Sequence, residues 1–261
     1  MTVVMVHGFP TTHHLWDPVV EALGDIGEEI VALDLPGFAS PAPPGWPGTK
    51  ESYVDWLLGE VTAIADASGP VHLVGHDWGC LLTLRVAMLR PDLLRTITAG
   101  NGPIDEHYPL HNAWRQWAQP GIGERMMDAF NDEMVRATMG PMLGVPADRI
   151  EDVVSLFTPG NREIGLKLYR SAVNVGREWA PDLPRIVAPS LILWGQQDMI
   201  VPVTFGRRMA ARIGADLVTL PAEHFWQFKC PELGAAALRR HWEHFAAYEP
   251  PESLKRTALP F

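Results

Sequence analysis

The sequence is poor in cysteine, in positive charge and in long apolar runs. Two cysteines, Cys80 and Cys230, among 261 residues cannot form a disulfide framework, so we expect reduced thiols and a cytoplasmic protein. The formal net charge of −10 argues against a nucleic-acid partner, because phosphate binding needs a basic face. No apolar run approaches the ~20 residues of a membrane span. The start, "MTVVMVHGFP", lacks the basic region and cleavage site of a signal peptide.

Short apolar runs alternate with helix-like segments along most of the chain. Continuous apolar strands separated by helices are typical of a parallel sheet that is covered on both faces. We therefore predict an α/β protein with a doubly wound, mostly parallel sheet. The predicted strands are "TVVMV", "EIVALDL", "VHLVG", "LRTITAG", "PSLILWG" and "ADLVTLP".

One segment interrupts this alternation. Residues 101–182 contain no convincing strand and are rich in Trp, Met and Pro. We predict a helical cap over these residues, inserted into a core domain made of residues 1–100 and 183–261. The aromatic and Met side chains of the cap either line an apolar pocket or form the cap's own core, which is the more frequent role of such residues.

The stretch "GHDWG" places Asp77 between an apolar strand and a helix. Gly75 and Gly79 permit the tight turn that such a strand-to-helix corner requires. The corner lies at the carboxyl edge of the sheet, where open α/β sheets bind ligands. The helix behind it favours the ionised carboxylate, which is a nucleophile toward sp³ carbon. We prefer this role for Asp77 to that of a simple helix cap.

Partners for Asp77 occur after later strands. Asp198 follows the strand "LILWG", and His224 follows the strand "LVTLP". This order predicts a charge-relay arrangement in which Asp198 orients His224 and His224 deprotonates water. The loop "HGFP" after the first strand predicts an oxyanion site built from the backbone N–H groups of Phe9 and Trp78. The isomer of the Phe9–Pro10 bond is left open by the sequence.

Together, "HGFP", "DLPGFASPAPP", "GHDWG", "WGQQD" and "EHFWQFKCPE" resemble the α/β-hydrolase superfamily. They resemble most the branch with an Asp nucleophile, which contains epoxide hydrolases and dehalogenases. The family sheet has eight strands, and this sequence begins at the third, so that either the first two strands are missing or a longer natural N-terminus carries them. The strand "EIVALDL" would then form an open edge, and we expect the tail "EPPESLKRTALPF" or a partner subunit of a homodimer to cover it.

The resemblance also assigns cap residues. Epoxide hydrolases hold the epoxide oxygen with two cap tyrosines. "LYRSAVNVGREW" matches the segment of the second, so Tyr169 would be the acid, and "WRQWAQ" places Trp114 where the first would stand. Trp114 would then hold the oxygen through its indole N–H, with Tyr108 as a spare candidate. Further candidate substrate contacts are Trp117, His7 and Phe225.

The resemblance thus implies an epoxide hydrolase that opens a small apolar epoxide with water to a vicinal diol, through an ester on Asp77 and without metal or organic cofactor. The alternative is a haloalkane dehalogenase in which Trp78 and Trp114 hold the halide. A small haloacid substrate is disfavoured, because Trp78 and Leu81 stand where that subgroup carries arginines. A third reading is a relative that binds a small molecule without turnover.

Overall fold

The computed structural model describes residues 2–256. Within them, six parallel strands form one sheet in the order β2-β1-β3-β4-β5-β6. This confirms the predicted α/β-hydrolase architecture with a doubly wound parallel sheet. The strands are β1 (Thr2–Val6), β2 (Glu29–Leu33), β3 (Val71–His76), β4 (Leu94–Gly100), β5 (Ser190–Gly195) and β6 (Asp216–Leu220).

The four central strands are buried along their whole length, as their continuous apolar sequences predict. β1 pairs with β2 on one side and with β3 on the other, so that Val4 lies opposite both Val31 and Leu73. The strand order therefore reverses between β1 and β3. A crevice opens at such a reversal, beyond the carboxyl ends of the strands, and it is the usual ligand site of open α/β sheets.

Helices follow the strands and cover the sheet. α1 packs against the C-terminal helix α12, and α2 packs against α3. The helices of the core are α1 (Asp17–Leu23), α2 (Lys50–Ser68), α3 (Trp78–Leu89), α10 (Val203–Ile213), α11 (Trp226–Lys229) and α12 (Pro231–His244), with short 3-10 helices at His13–Trp16, Pro91–Leu93, Ala180–Arg185 and Glu252–Arg256.

The segment between β4 and β5 is helical where a cap was predicted. Lys50, at the start of α2, ties the core to this segment, because its buried ammonium donates to the Ser171 carbonyl at 2.9 Å and pairs with Glu178 at 2.9 Å. The helices of the segment are α4 (Asn112–Trp117), α5 (Ile122–Ala129), α6 (Asp132–Leu143), α7 (Ile150–Val154), α8 (Pro159–Ser171) and α9 (Val175–Trp179).

β2 lies at the edge of the sheet and is only partly buried. The prediction that the C-terminal tail covers this edge strand is wrong for the part of the tail that the structure describes. Glu249 pairs with Arg95 of β4, and Glu252–Arg256 lies against the 3-10 helix Pro91–Leu93. The rest of the tail, 257–261, lies outside the described residues, and cover by a partner subunit stays a prediction.

None of the helices within residues 2–256 has the length and apolar character needed to cross a membrane.

Candidate active site

Asp77 occupies the corner between β3 and α3 with a backbone φ of +55°, in the region that side chains other than Gly rarely adopt. The positions on either side of it, Gly75 and Gly79, have no room for a side chain. A Cβ on Gly75 would lie 2.3 Å from the Gly79 carbonyl oxygen, and one on Gly79 would lie 2.1 Å from the Val6 carbonyl oxygen. The predicted strand-to-helix corner is present, and it directs the Asp77 side chain into the crevice beyond β1 and β3.

The structure brings Asp77, His224 and Asp198 together. His224 Nε2 lies 3.5 Å from Asp77 Oδ2, and His224 Nδ1 donates to Asp198 Oδ2 at 2.8 Å. His76 fixes the loop that carries His224, since its Nε2–H donates to the His224 carbonyl at 2.8 Å. The imidazole therefore bridges the two carboxylates, as the order of these residues along the chain predicts.

Asp198 is almost fully buried and needs donors to keep its charge. The backbone N–H groups of Ile200 and Val201 donate to its Oδ1 at 2.8 and 3.0 Å, and Asn101 Nδ2 donates to its Oδ2 at 2.7 Å. Although burial opposes it, these donors and the charge of His224 lower the pKa of Asp198. The sequence analysis missed Asn101, which directly follows β4.

The two carboxylates also control the charge of His224. Burial alone would lower the pKa of His224, but Asp198, and after it Asp77, outweigh burial and raise it to about 10. The imidazole is therefore protonated at neutral pH while the Asp198 carboxylate, whose pKa is lowered, is ionised.

The HGFP loop supplies one hydrogen bond to Asp77. The Phe9 N–H donates to Asp77 Oδ1 at 2.9 Å, and the Phe9–Pro10 bond is cis. Trp78 N–H, at the first position of α3, makes no such bond in the part of the chain that the structure describes. His7 does not reach the cavity, contrary to expectation. Its Nδ1–H donates to the Gly8 carbonyl, and its Nε2 accepts the Leu35 N–H, so His7 anchors the loop.

Two tyrosines flank the site with different partners. Tyr169, on α8, is buried beside Asp77, and burial followed by the Asp77 charge raises its pKa well above the usual range. Its hydroxyl therefore keeps its proton at neutral pH. The Tyr108 hydroxyl donates to the Ile200 carbonyl at 3.1 Å. Tyr108 is thus engaged in a structural bond and does not offer the spare acid that the sequence suggested.

Trp114 requires a correction. Its indole N–H donates to the backbone carbonyl of Tyr169 at 3.0 Å, so it is not free to hold an oxyanion or a halide. Its ring packs against Trp78 and Tyr169 at centroid distances of 5.3 and 5.1 Å. Trp117 packs on the other side of Tyr169 at 4.8 Å. These rings fix the position of the Tyr169 side chain.

The cavity over Asp77 has two compartments. The wide one, of about 360 Å³, is mostly apolar and lies between the core and α4, α6 and α8. It is lined by Phe9, Trp117 and Phe225, by the exposed methionines Met142 and Met199, and by both Asp77 and His224. The narrow compartment, of about 10 Å³, lies between Trp78, Trp114 and Tyr108. Such a site suits an apolar molecule of modest size.

His111 also lines this cavity and was missed by the sequence analysis. It is the N-cap of α4, with Nδ1 accepting the Trp114 N–H at 3.1 Å. The available signal was a polar residue directly before a short helical run, which predicts a cap but not a contact with the cavity.

Residues 3–237 match the family described as "Alpha/beta hydrolase family". This chain belongs to that family. The α/β hydrolase has the same fold as the 2-hydroxy-6-oxo-6-phenylhexa-2,4-dienoate hydrolase of Rhodococcus sp. strain RHA1. That structure has a TM-score of 0.78 and 20% identity, and the match covers 93% of this chain and 90% of the other chain.

Curated relatives of this α/β hydrolase include two enzyme types. Bifunctional epoxide hydrolase 2 of Rattus norvegicus is 22% identical over 253 residues, covering 79% of this chain and 45% of the rat protein. Haloalkane dehalogenase of Mycolicibacterium paratuberculosis is 31% identical over 125 residues, covering 45% of this chain and 40% of the relative. The chain spans less than half the length of either relative.

Proposed function

We propose that this α/β hydrolase is an epoxide hydrolase that converts an apolar epoxide to a vicinal diol through an ester on Asp77. The observation that carries the proposal is the setting of the Asp77 carboxylate. Phe9 N–H holds Oδ1, Oδ2 faces His224, and the protonated hydroxyl of Tyr169 lines the same cavity. A fixed nucleophile, a base and an acid around one apolar cavity are the groups that epoxide opening needs.

In the first step, Asp77 Oδ2 attacks an epoxide carbon. The new C–O bond forms as the ring C–O bond breaks, and the electron pair goes to the ring oxygen. Tyr169 gives its proton to that oxygen, and the protonated His224 restores the tyrosine. The result is a neutral ester on Asp77 and a neutral imidazole at His224.

The second step needs that neutral imidazole. Ester formation removes the charge of Asp77, one of the two charges that raise the pKa of His224, so the ring becomes a competent base. His224, oriented by Asp198, takes a proton from water as the water attacks the ester carbonyl. Phe9 and Trp78 N–H groups hold the oxyanion. Collapse of the tetrahedral intermediate breaks its bond to the diol oxygen, which takes the proton from His224. The Asp77 carboxylic acid then returns a proton to His224.

The shape of the cavity indicates the substrate. One compartment admits a large apolar group and the other is about the size of a water molecule. An epoxide with one bulky apolar or aromatic substituent and one unsubstituted carbon fits this asymmetry. The rat relative, by its name an epoxide hydrolase, supports the same reaction.

A haloalkane dehalogenase is the second candidate, supported by the Mycolicibacterium relative. A departing halide needs N–H donors, and the Trp114 N–H is already bonded to the Tyr169 carbonyl. Meanwhile a protonated tyrosine beside the nucleophile serves an alkoxide, which must gain a proton, better than a halide, which need not. Binding without turnover is the third candidate.

Parallel turnover of styrene oxide and 2-phenylethyl bromide separates these candidates. The proposal predicts diol from the epoxide, little bromide from the halide, and neither from an Asp77→Asn control. Bromide release as the faster reaction favours the dehalogenase, and no product from either compound, with no adduct on the protein, favours a binding function.

A further inference from the structure

The junction between the two compartments of the cavity is formed by few residues. Among the described residues, three line both the wide and the narrow compartment, namely Asp77, Tyr169 and His111. In the proposed reaction, we expect the ring oxygen of a substrate whose carbon contacts Asp77 to lie at this junction. The mechanism above uses two of these side chains and leaves His111 without a role.

The hydrogen bonds of His111 define its tautomer. Nδ1 accepts the backbone N–H of Trp114 at 3.1 Å, so in the neutral ring the proton is on Nε2. The pKa of His111 is lowered to about 4, mainly by burial. The ring is therefore neutral at pH 7. No group among residues 2–256 accepts a hydrogen bond from Nε2. His111 thus offers an uncommitted N–H donor beside Tyr169.

The other donors near the junction are committed. The Trp114 indole N–H is bonded to the Tyr169 carbonyl, and the Tyr108 hydroxyl is bonded to the Ile200 carbonyl. The Trp78 side chain, which lines the narrow compartment, is hydrogen-bonded to the Tyr169 hydroxyl. An alkoxide that develops in an apolar cavity is stabilised by donors that are already in place before the reaction. Tyr169 provides one such donor, and the Nε2–H of His111 is a second donor at the same junction.

We propose that His111 is a catalytic residue whose Nε2–H donates a hydrogen bond to the epoxide oxygen, beside the hydroxyl of Tyr169. The assignment rests on the proposed epoxide hydrolysis. As the ring C–O bond breaks, the electron pair moves onto the oxygen, Tyr169 transfers its proton, and His111 donates a hydrogen bond while keeping its own proton. His111 therefore performs the task that Trp114 was expected to perform.

Two variants separate this role from helix capping. Asn at 111 keeps an acceptor for the Trp114 N–H, because Asn is a good N-cap, but its side chain is too short to replace Nε2–H. Gln is a poor N-cap, yet its amide N–H reaches the position of Nε2. His111→Asn thus removes the donor and keeps the cap, whereas His111→Gln does the reverse.

Both changes are made in a His224→Gln protein, which is expected to stop at the ester. Ester formation with styrene oxide is followed by intact mass, and folding by Tm. We expect His111→Asn to slow ester formation by about 10²-fold, which is the usual cost of losing one oxyanion donor. The Tm of this variant should be unchanged. His111→Gln should stay within a few-fold in rate while its Tm falls.

Equal rates of ester formation with and without His111→Asn would overturn the assignment and leave the proposed function standing. The assignment would also be overturned if the rate of ester formation fell in proportion to the Tm in both variants. His111 would then act only as the N-cap of α4. If the folded His224→Gln protein forms no ester with styrene oxide, the proposed function itself fails, and the role of His111 fails with it.

Discussion

Asn101 Nδ2 donates a hydrogen bond of 2.7 Å to Asp198 Oδ2, the same oxygen that accepts from His224 Nδ1. Asn101 lies directly after β4 and has a backbone φ of +56°. Asn tolerates that conformation better than most residues, so the position suits a short polar side chain. The amide supports the carboxylate that orients the imidazole and adds no charge.

Replacing this amide by a carboxylate should disturb the charge of His224. In Asn101→Asp, Asp198 loses a hydrogen-bond donor, and the new carboxylate, when ionised, adds a negative charge near the imidazole of the ester intermediate. That charge raises the pKa of His224 further, so the neutral base forms only at higher pH. We expect the rate of ester hydrolysis at pH 7 to fall by about 10-fold or more, as one extra unit of pKa implies. Single-turnover hydrolysis measured across pH should show the profile displaced upward, and an unchanged profile would contradict the role of Asn101.

Tyr169 should be required as an acid and Tyr108 should not. Tyr169→Phe removes the proton donor and should lower kcat on an epoxide by about 10²–10⁴-fold, the usual range for acid catalysis. On a bromoalkane, whose leaving group needs no proton, the loss should be much smaller. Tyr108→Phe is the matched control, because its hydroxyl is bonded to the Ile200 carbonyl. A small loss for Tyr169→Phe on epoxides would favour the dehalogenase.

His224 should be needed for the second step and dispensable for the first. In His224→Gln, Asp77 can still attack the epoxide, but no base activates water. An ester should accumulate, and intact mass should rise by the full mass of the epoxide. Turnover at the wild-type rate would show that His224 is not the base.

The raised pKa of His224 also predicts a pH dependence of stability. The folded protein holds this proton up to about pH 10, whereas the unfolded chain loses it near its ordinary 6.5. The resulting stabilisation is complete below pH 6.5 and is lost as the pH rises through about 10. The free energy of unfolding of the wild type, measured relative to His224→Gln by denaturant titration, should therefore decrease between these two pH values. A constant difference would mean that the imidazole is neutral in the folded protein.

The corner at Asp77 is predictable because its conformation depends on neighbours in sequence. An apolar strand, two flanking glycines and a helical run together leave few other structures for "GHDWG". The positions of Asp198 and His224 follow from the parallel sheet, which brings the ends of successive strands to one edge. These residues therefore meet where the sequence predicts.

The cap and the loop are less predictable because their hydrogen bonds join distant segments. The expectation for Trp114 is wrong because its indole meets a backbone carbonyl of another helix, at Tyr169. His7 is removed from the cavity by the Gly8 carbonyl and the Leu35 N–H. His111 reaches the cavity through the placement of α4 over the sheet, for which a single sequence holds no signal.

The most direct test of the account is the source of the oxygen in the first product molecule. Water attacks the carbonyl carbon of the ester, so the bond between the substrate carbon and the Asp77 oxygen survives into the diol. A single turnover with excess enzyme in ¹⁸O-water should give mostly unlabelled diol and leave the label on Asp77, as read by mass spectrometry of product and of the peptide that contains it. Labelled diol in that first turnover would show that water attacks the substrate directly, and it would contradict the covalent mechanism.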